Sequence, residues 1–220
     1  MTKVSFDNTE VAFKHKSDAE LKQAKWLFSL FNHNWIVKFG PGLTAFGLKI
    51  GLPIKPLVKK TIFHQFCGGE TIQECSDSGD QLYQSGIGSI LDYSVEGVEE
   101  EDTFRHNLEE IKRTIIAAKV DVKVPFAVLK CTGIWRFDIL EKASKGQLSA
   151  EDQSKFERLK GRLSELCQLA VDNKVRLLID AEETWIQNII DEMVFELMRK
   201  HNTTKVWIYN TLQMYRTDRL

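Results

Sequence analysis

Short apolar runs alternate with longer segments of helical periodicity through most of this chain. The clearest run, Val175 to Ile179, is rich in branched side chains, as is typical of a strand buried on both faces of a parallel sheet. Asp180 follows it, and Glu182 and Glu183 then begin a segment whose apolar residues are spaced by three or four, which predicts a helix. Taken alone, this unit fits two interpretations of Asp180 equally well: a catalytic acid at the carboxyl edge of the sheet, or a cap of the next helix.

The same strand-then-helix unit recurs along the chain. Further strands are predicted at 87–95, 122–129 and 205–209, and a fifth is compatible with 62–66. The helices between them are predicted at 71–83, 102–119, 135–145, from 149 onward and from 212 to the end. This order implies parallel strands with right-handed crossovers. Because no G-x-G-x-x-G follows any strand, we expect an α/β fold of the (β/α)8 TIM-barrel type rather than an open dinucleotide-binding sheet.

The predicted strands are too few to close such a barrel. The final segment also ends without the glycine, asparagine or proline that commonly terminates a helix. We therefore expect residues 61–220 to be only the first half of a barrel, and the unpaired edge of its last strand to be prone to association. Residues 1–60 are predicted to be an N-terminal helical arm, whose first clear helix starts at the capping box Ser17-x-x-Glu20.

A basic, apolar segment follows this first helix. From Trp35 to Phe66 the chain has no Asp or Glu, while five lysines are interleaved with apolar residues. One interpretation is a surface that contacts a membrane or a partner. The other is an arm wrapped over the main domain, with its lysines extending to water. We favour the second interpretation, because large exposed apolar patches are uncommon on protein surfaces.

The totals exclude several classes of protein. A net charge of −1 gives no overall attraction to nucleic acid or anionic membranes, and the four cysteines form no C-x-x-C pair or zinc spacing. The five histidines are scattered without ligand spacing, so we expect no metal site. The N-terminus carries four acidic residues and lacks the apolar segment of a signal peptide, so it resembles neither a signal peptide nor a typical transit peptide. No apolar run is long enough to span a bilayer. We expect a cytoplasmic protein, with contact at the inner face of the membrane if the basic segment serves that purpose.

Each clear strand delivers a polar or charged residue where its apolar run stops. In a barrel these strand ends converge on one rim, which is where active sites are built. Lys130 follows the strand that ends at Leu129, and Asp180 follows the strand that ends at Ile179. A lysine at such a place is partly desolvated and requires a carboxylate or an anionic ligand, so we expect Asp180 to be its partner. The sequence therefore predicts a site at the rim that binds a charged small molecule.

Five segments in order along the chain together resemble the proline dehydrogenase (proline oxidase) family. They are FCGGETI (66–72), LDYSVEG (91–97), VLKCT (128–132), IDAEE (179–183) and YNTLQMY (209–215). No single segment is specific, but their order and spacing match from about residue 60 to the end. The resemblance implies a (β/α)8 barrel that holds FAD, oxidises L-proline to Δ1-pyrroline-5-carboxylate and passes electrons to a quinone.

The resemblance also implies roles for five residues. Lys130 resembles the family lysine at the substrate site beside the flavin, and Asp180 resembles the active-site aspartate on the following strand. Glu96 resembles a carboxylate that forms an ion-pair gate over the substrate. Asn210 resembles an amide residue that hydrogen-bonds the flavin ring, and Ile208 packs near it.

The chain departs from the family pattern at its carboxyl end. The paired arginines that grip the proline carboxylate have no counterpart before Leu220, and neither do the flavin-binding segments of the later strands. We therefore expect little FAD binding and no turnover by this chain on its own. Two alternatives remain: another barrel enzyme that uses Lys130 as a Schiff-base nucleophile, or a non-catalytic fragment.

Overall fold

The computed structural model describes residues 5–93, 95 and 99–219 of the chain. The chain divides between Ile87 and Gly88 into two compact units, whereas the sequence pattern placed the division after residue 60. We refer to Met1–Ile87 as unit 1 and to Gly88–Leu220 as unit 2. Within the described ranges, no helix combines the length and the apolar character needed to cross a membrane.

Unit 1 is helical throughout its regular elements. The capping box at Ser17 is confirmed, because its hydroxyl accepts from the Glu20 N–H and the Glu20 carboxylate accepts from the Ser17 N–H. The Thr71 hydroxyl caps the last helix by accepting from the Glu74 N–H. The helices are α1 (Thr9–Ala12), α2 (Asp18–Leu30), α3 (Asn34–Lys49), α4 (Lys55–Val58), α5 (His64–Phe66) and α6 (Ile72–Tyr83), with a π-helical turn at Lys59–Phe63 between α4 and α5.

The prediction of a possible fifth strand at residues 62–66 is wrong, because the π-helical turn and α5 occupy that segment. A short apolar run does not by itself distinguish a strand from a helical segment. Here the helical conformation continues from α4 without a break, since each cap residue between these elements is itself helical.

Unit 2 is an α/β domain with strands and helices in alternation. Its strands are shorter than the predicted runs, but each lies within its run or overlaps its end. The elements are β1 (Ile90–Leu91), α7 (Glu101–Val120), β2 (Phe126–Leu129), α8 (Cys131–Ile134), α9 (Phe137–Ser144), α10 (Ala150–Asp172), β3 (Arg176–Ile179), α11 (Gln187–His201) and β4 (Ile208–Asn210), followed by a 3-10 turn at Thr217–Arg219. Ser149 caps α10 by accepting from the Asp152 N–H, as its spacing predicted.

In the part of the chain that the structure describes, four strands form one sheet in the order β1-β2-β3-β4, and all neighbouring pairs are parallel. This confirms the predicted parallel α/β architecture. The core lies on one face of the sheet, where Leu129, Ile179 and Ile208 are almost fully buried. They pack in one cluster with apolar residues of α7, α10 and α11, including Ile115, Leu163 and Val194. The opposite face is less covered, since Leu178 and Tyr209 are only half-buried.

Two predicted helix boundaries are wrong. The helix after Asp180 begins at Gln187, so Glu182 and Glu183 lie in the preceding loop. Glu182 is held there by hydrogen bonds from Thr132 in α8, the short helix after β2, and this tertiary contact replaces the helix start that its charge favoured. The final predicted helix is limited, within the described residues, to the 3-10 turn.

Candidate active site

The register of the sheet places the residues after β2, β3 and β4 side by side. Leu129 pairs with Ile179, and Ile179 pairs with Asn210. The pairing continues one step further, because the Asp180 N–H donates to the Leu129 carbonyl at 2.9 Å. Lys130, Asp180 and the residue after Asn210 therefore lie at one level of the carboxyl edge, as the convergence of parallel strand ends requires.

Lys130 lies between two carboxylates at this edge. Its Nζ is 3.2 Å from Asp92 Oδ2 and 3.5 Å from Asp180 Oδ2. The lysine side chain is 22% exposed and the two aspartates are 36% and 37% exposed, so the three charges are partly shielded from water. The predicted contact between Lys130 and Asp180 is thus present in the structure. Asp92 was not singled out from the sequence, although it is the first polar residue after β1 and is the kind of strand-end signal that identified the other two.

Asp180 is held in place by groups from the next strand. Its Oδ1 accepts from the Thr211 hydroxyl at 2.9 Å and from the Ala181 N–H at 3.1 Å. This leaves Oδ2 as the atom directed at Lys130. A carboxylate fixed by two donors keeps one orientation, so the edge presents a positioned cation with a positioned anion beside it.

A second, buried carboxylate joins α8, which follows β2, to the loop that follows β3. Glu182 accepts from the Thr132 N–H at 3.2 Å and from the Thr132 hydroxyl in a short contact. Burial raises the pKa of Glu182, and the hydrogen bonds from Thr132 oppose that rise without cancelling it. The peptide that carries Glu182 is tied further, because its N–H donates to Gln187 and its carbonyl accepts from Gln213. Thr132 is two residues from Lys130 and Glu182 is two residues from Asp180, so this contact joins the two segments that carry the site.

A surface cleft of about 300 Å³ opens beside these groups. Its lining includes Lys130 and Glu182 from the strand ends, together with Ala181, Glu183 and Tyr215. The cleft is therefore lined by one cation, two carboxylic acids and one aromatic ring. Such a lining favours a small ligand that carries both signs of charge over a purely apolar one.

The two residues predicted to contact a flavin lie on the other face of the sheet from Lys130. Ile208 is fully buried in the core cluster beneath the helices. The Asn210 amide nitrogen donates to Asp191 on α11 at 2.8 Å, and its oxygen accepts from the Thr211 N–H at 3.1 Å. The role of these two residues stays a prediction. Glu96, the predicted gate residue, lies outside the described residues.

Asp191 is the centre of a buried polar network that sequence reasoning missed. Besides Asn210, it accepts from Gln187 at 2.8 Å and from Arg219 at 2.7 Å. The helical spacing contains a signal for this network. Asp191 follows Ile190 directly and precedes Val194 by three residues, so it lies beside the apolar stripe of α11. A buried carboxylate with three charged or amide donors fixes α11 against β4.

Comparison with known proteins gives a consistent assignment. The family model described as proline dehydrogenase matches residues 75–220. A carbapenem antibiotics biosynthesis protein, CarD, of Pectobacterium carotovorum is 33% identical over 156 residues, which covers 70% of this chain and 42% of that protein. A mitochondrial proline dehydrogenase 1 of Dictyostelium discoideum is 27% identical over 248 residues, which covers 94% of this chain and 43% of that protein. The chain thus spans less than half the length of these two relatives.

One solved structure supports the fold. Proline utilization A (PutA) from Bdellovibrio bacteriovorus, inactivated by N-propargylglycine, aligns with a TM-score of 0.58 at 14% identity, covering 100% of this chain and 24% of that one. At this identity the likeness concerns the fold alone. The family match covers well over half of the residues, and it includes Lys130, Asp180 and the other strand ends that form the site. The chain therefore belongs to the proline dehydrogenase family.

Proposed function

We propose that this site serves the FAD-dependent oxidation of L-proline to Δ1-pyrroline-5-carboxylate, with electrons passed to a quinone. The observation that carries the proposal is the position of Lys130 between Asp92 and Asp180 at the carboxyl edge of the sheet, in a chain of this family. The activity is proposed for the protein as a whole, since this chain spans less than half of its relatives.

The charges of the site suit a zwitterionic amino acid. The substrate carboxylate would pair with the Lys130 ammonium. The substrate nitrogen would donate to Asp180 or Asp92, because both carboxylates lie next to that ammonium. Asp180 needs no reorganisation to do this, because Thr211 and Ala181 already fix its orientation. Partial shielding from water strengthens each of these interactions relative to an exposed pair.

The half-buried face of the sheet fits a flat aromatic group such as the flavin ring. Val128, Leu178 and Tyr209 stand opposite one another in the strand register, and side-chain alternation puts them on the same face as Lys130 and Asp180. An apolar surface with a charged rim matches the shape and polarity of that ring. When bound there, FAD would supply the electron-accepting chemistry. The residues of this chain would hold the proline nitrogen and carboxylate and limit the access of water.

We further propose that the four strands form part of a (β/α)8 barrel. The order β1-β2-β3-β4 follows the chain without reversal, and α7, α10 and α11 all pack on one face. An open doubly wound sheet instead reverses its strand order and carries helices on both faces. Because quinones are lipid-soluble, the proposal also includes peripheral contact with a membrane.

The Schiff-base alternative receives less support from the site. A nucleophilic lysine must present a neutral amine. Ion pairs to Asp92 and Asp180 favour the charged ammonium instead. The geometry suits a lysine that binds an anion better than one that attacks a carbonyl.

The test is a flavin spectrum titrated with L-proline. It is made on this chain and on the same chain continued at its carboxyl end with the remaining sequence of a family relative. We expect the extended form to bind FAD and proline to bleach its flavin band, whereas Lys130→Met should keep the flavin but lose the bleaching. Lys145→Met is the matched control, because Lys145 is an exposed lysine that pairs with Glu141.

A flavin band that proline leaves unchanged would contradict the proposal, as would equal bleaching in the Lys130→Met variant. Hydroxyproline is titrated in parallel. If hydroxyproline bleached the flavin band and proline did not, hydroxyproline would be the substrate instead. The expectation that the unextended chain binds little FAD stays a prediction, which stoichiometric flavin in that chain would contradict.

A further inference from the structure

An apolar stripe runs along the exposed side of α3 in unit 1. It consists of Trp35, Phe39, Leu43 and Phe46 on the helix and Ile50 directly after its end, which are spaced by four, four, three and four residues. This spacing puts all five on one side of a helix. Each side chain is between 56% and 63% exposed. Large apolar residues aligned on one helical face and left in water indicate an interaction surface rather than the scattered apolar exposure of ordinary surfaces.

Lysines border this stripe, and acidic residues are absent from the segment. Lys38 lies one turn after Trp35, and its Nζ is 5.7 Å from the Phe39 ring. Lys49 precedes Ile50 and is exposed. From Trp35 to Phe66 the sequence contains five lysines and no Asp or Glu. Of these lysines, Lys38 and Lys49 lie on α3 itself, next to the stripe, and Lys59 is ion-paired with Glu70.

A shallow groove follows the first half of the stripe. It has a volume of about 510 Å³ and is lined by Trp35, Lys38, Phe39, Gly42 and Leu43. Gly42 contributes no side chain to this groove, and nothing lies within 4 Å of the position its Cβ would take. The groove is therefore apolar along its floor and cationic at its rim.

We propose that this face of α3 docks on the surface of an anionic lipid bilayer. The apolar stripe would enter the boundary between headgroups and acyl chains, and Lys38 and Lys49 would reach the phosphates beside it. A second copy of the chain fits this face less well. Two such faces in contact would bring four lysines together with no carboxylate from either segment. An anionic membrane supplies both the apolar phase and the opposite charge.

This inference specifies the surface and the lipid class for the membrane contact proposed above, but it stands on unit 1 alone. Its test therefore does not depend on whether the protein oxidises proline. The whole chain is sedimented with vesicles of phosphatidylcholine and with vesicles in which part of the lipid is phosphatidylglycerol. We expect binding to the anionic vesicles, and weaker binding as salt is raised, because screening reduces the lysine contribution.

Two variants divide the contributions of the stripe and the lysines. Phe39→Ser with Leu43→Ser should lower the partition onto anionic vesicles by about 100-fold, because two large apolar side chains no longer leave water. Lys38→Gln with Lys49→Gln should lower it by about 25-fold.

The matched control is Val120→Ser with Val122→Ser in unit 2. Both valines are 80% exposed, so this pair removes exposed apolar side chains of a different surface. Circular dichroism of each variant establishes that the helices remain.

Direct contact is measured by quenching of tryptophan fluorescence with brominated lipids. Trp35→Phe should remove most of the quenching and keep the binding. No sedimentation with anionic vesicles would overturn the proposal, and so would equal loss in the stripe variant and the valine control. Concentration-dependent self-association that the stripe variant abolishes, without vesicle binding, would assign the face to a second copy of the chain instead.

Discussion

Replacing Thr132 with valine should destabilise unit 2 by removing one donor from a buried carboxylate. Thr132 and Glu182 are 8% and 9% exposed, and the Thr132 hydroxyl donates to Glu182 Oε2. Valine keeps the branched shape but has no hydroxyl. The Thr132 N–H still donates to Oε1, so one carboxylate oxygen loses its donor while the other keeps it. Deleting one hydrogen bond to a buried charge costs about 2 kcal/mol of unfolding free energy.

This cost should depend on pH in a defined direction. Burial raises the folded-state pKa of Glu182 above its ordinary value of 4.5. A carboxyl with a raised folded pKa stabilises the fold fully below its unfolded pKa and loses that contribution as pH rises through the folded value. The Thr132 hydroxyl opposes the rise, so its removal raises the pKa further. The valine variant should therefore lose little stability at about pH 4 and the full amount of about 2 kcal/mol at about pH 8.

The assay is urea unfolding at both pH values, followed by tryptophan fluorescence, to which the buried Trp135 of unit 2 contributes. Thr132→Ser is the matched control, because serine retains the hydroxyl and loses only a methyl group. Equal stability of wild type and Thr132→Val at about pH 8 would refute the reasoning. Equal losses in the serine and valine variants would also refute it, since the methyl group and not the hydrogen bond would then be responsible.

Three further predictions concern the core, the thiols and a helix cap. Leu163→Ala should lower the unfolding free energy by about 3 kcal/mol, because Leu163 is fully buried in the core cluster; a loss below about 1 kcal/mol in urea unfolding would contradict this. In native protein, iodoacetamide should modify exposed Cys67 long before Cys131 and Cys167, because burial raises the pKa of both of these thiols, that of Cys167 to about 12. Peptide mass spectrometry checks the order, and labelling of all three at one rate would contradict it. Ser17→Ala should cost about 1 kcal/mol through loss of the capping box of α2, measured as increased hydrogen exchange at its first turn, which Ser17→Asn should largely restore.

The pair of Lys130 and Asp180 could be predicted from the sequence because it depends on two properties that sequence carries well. One is the end of an apolar run, which locates the carboxyl edge of a strand. The other is the alternation of strands with helices, which implies parallel strands and therefore strand ends on one edge. Together they place the two charges near each other without any knowledge of loop conformation. The structure has them 3.5 Å apart.

The position of Glu182 could not be predicted in the same way. Its acidic side chain just before an amphipathic segment favours the first turn of a helix. The structure instead starts α11 at Gln187 and uses Glu182 to accept from Thr132, which is 50 residues earlier in the chain. A contact of that sequence separation has no local signal. It becomes apparent only when the segments after β2 and β3 are seen to leave the sheet at the same level.

The sequence also did not determine which face of its strand each residue occupies. In a parallel strand both faces are apolar, so the run has no alternation from which to read the direction of each side chain. A shift of one residue moves a side chain to the opposite face. Asn210 ends β4 on the helix-facing side and binds Asp191, whereas Thr211, one residue later, reaches Asp180. The strand register therefore makes Thr211, rather than its neighbour, the residue of this strand end that is joined by direct hydrogen bonds to the charges of the site.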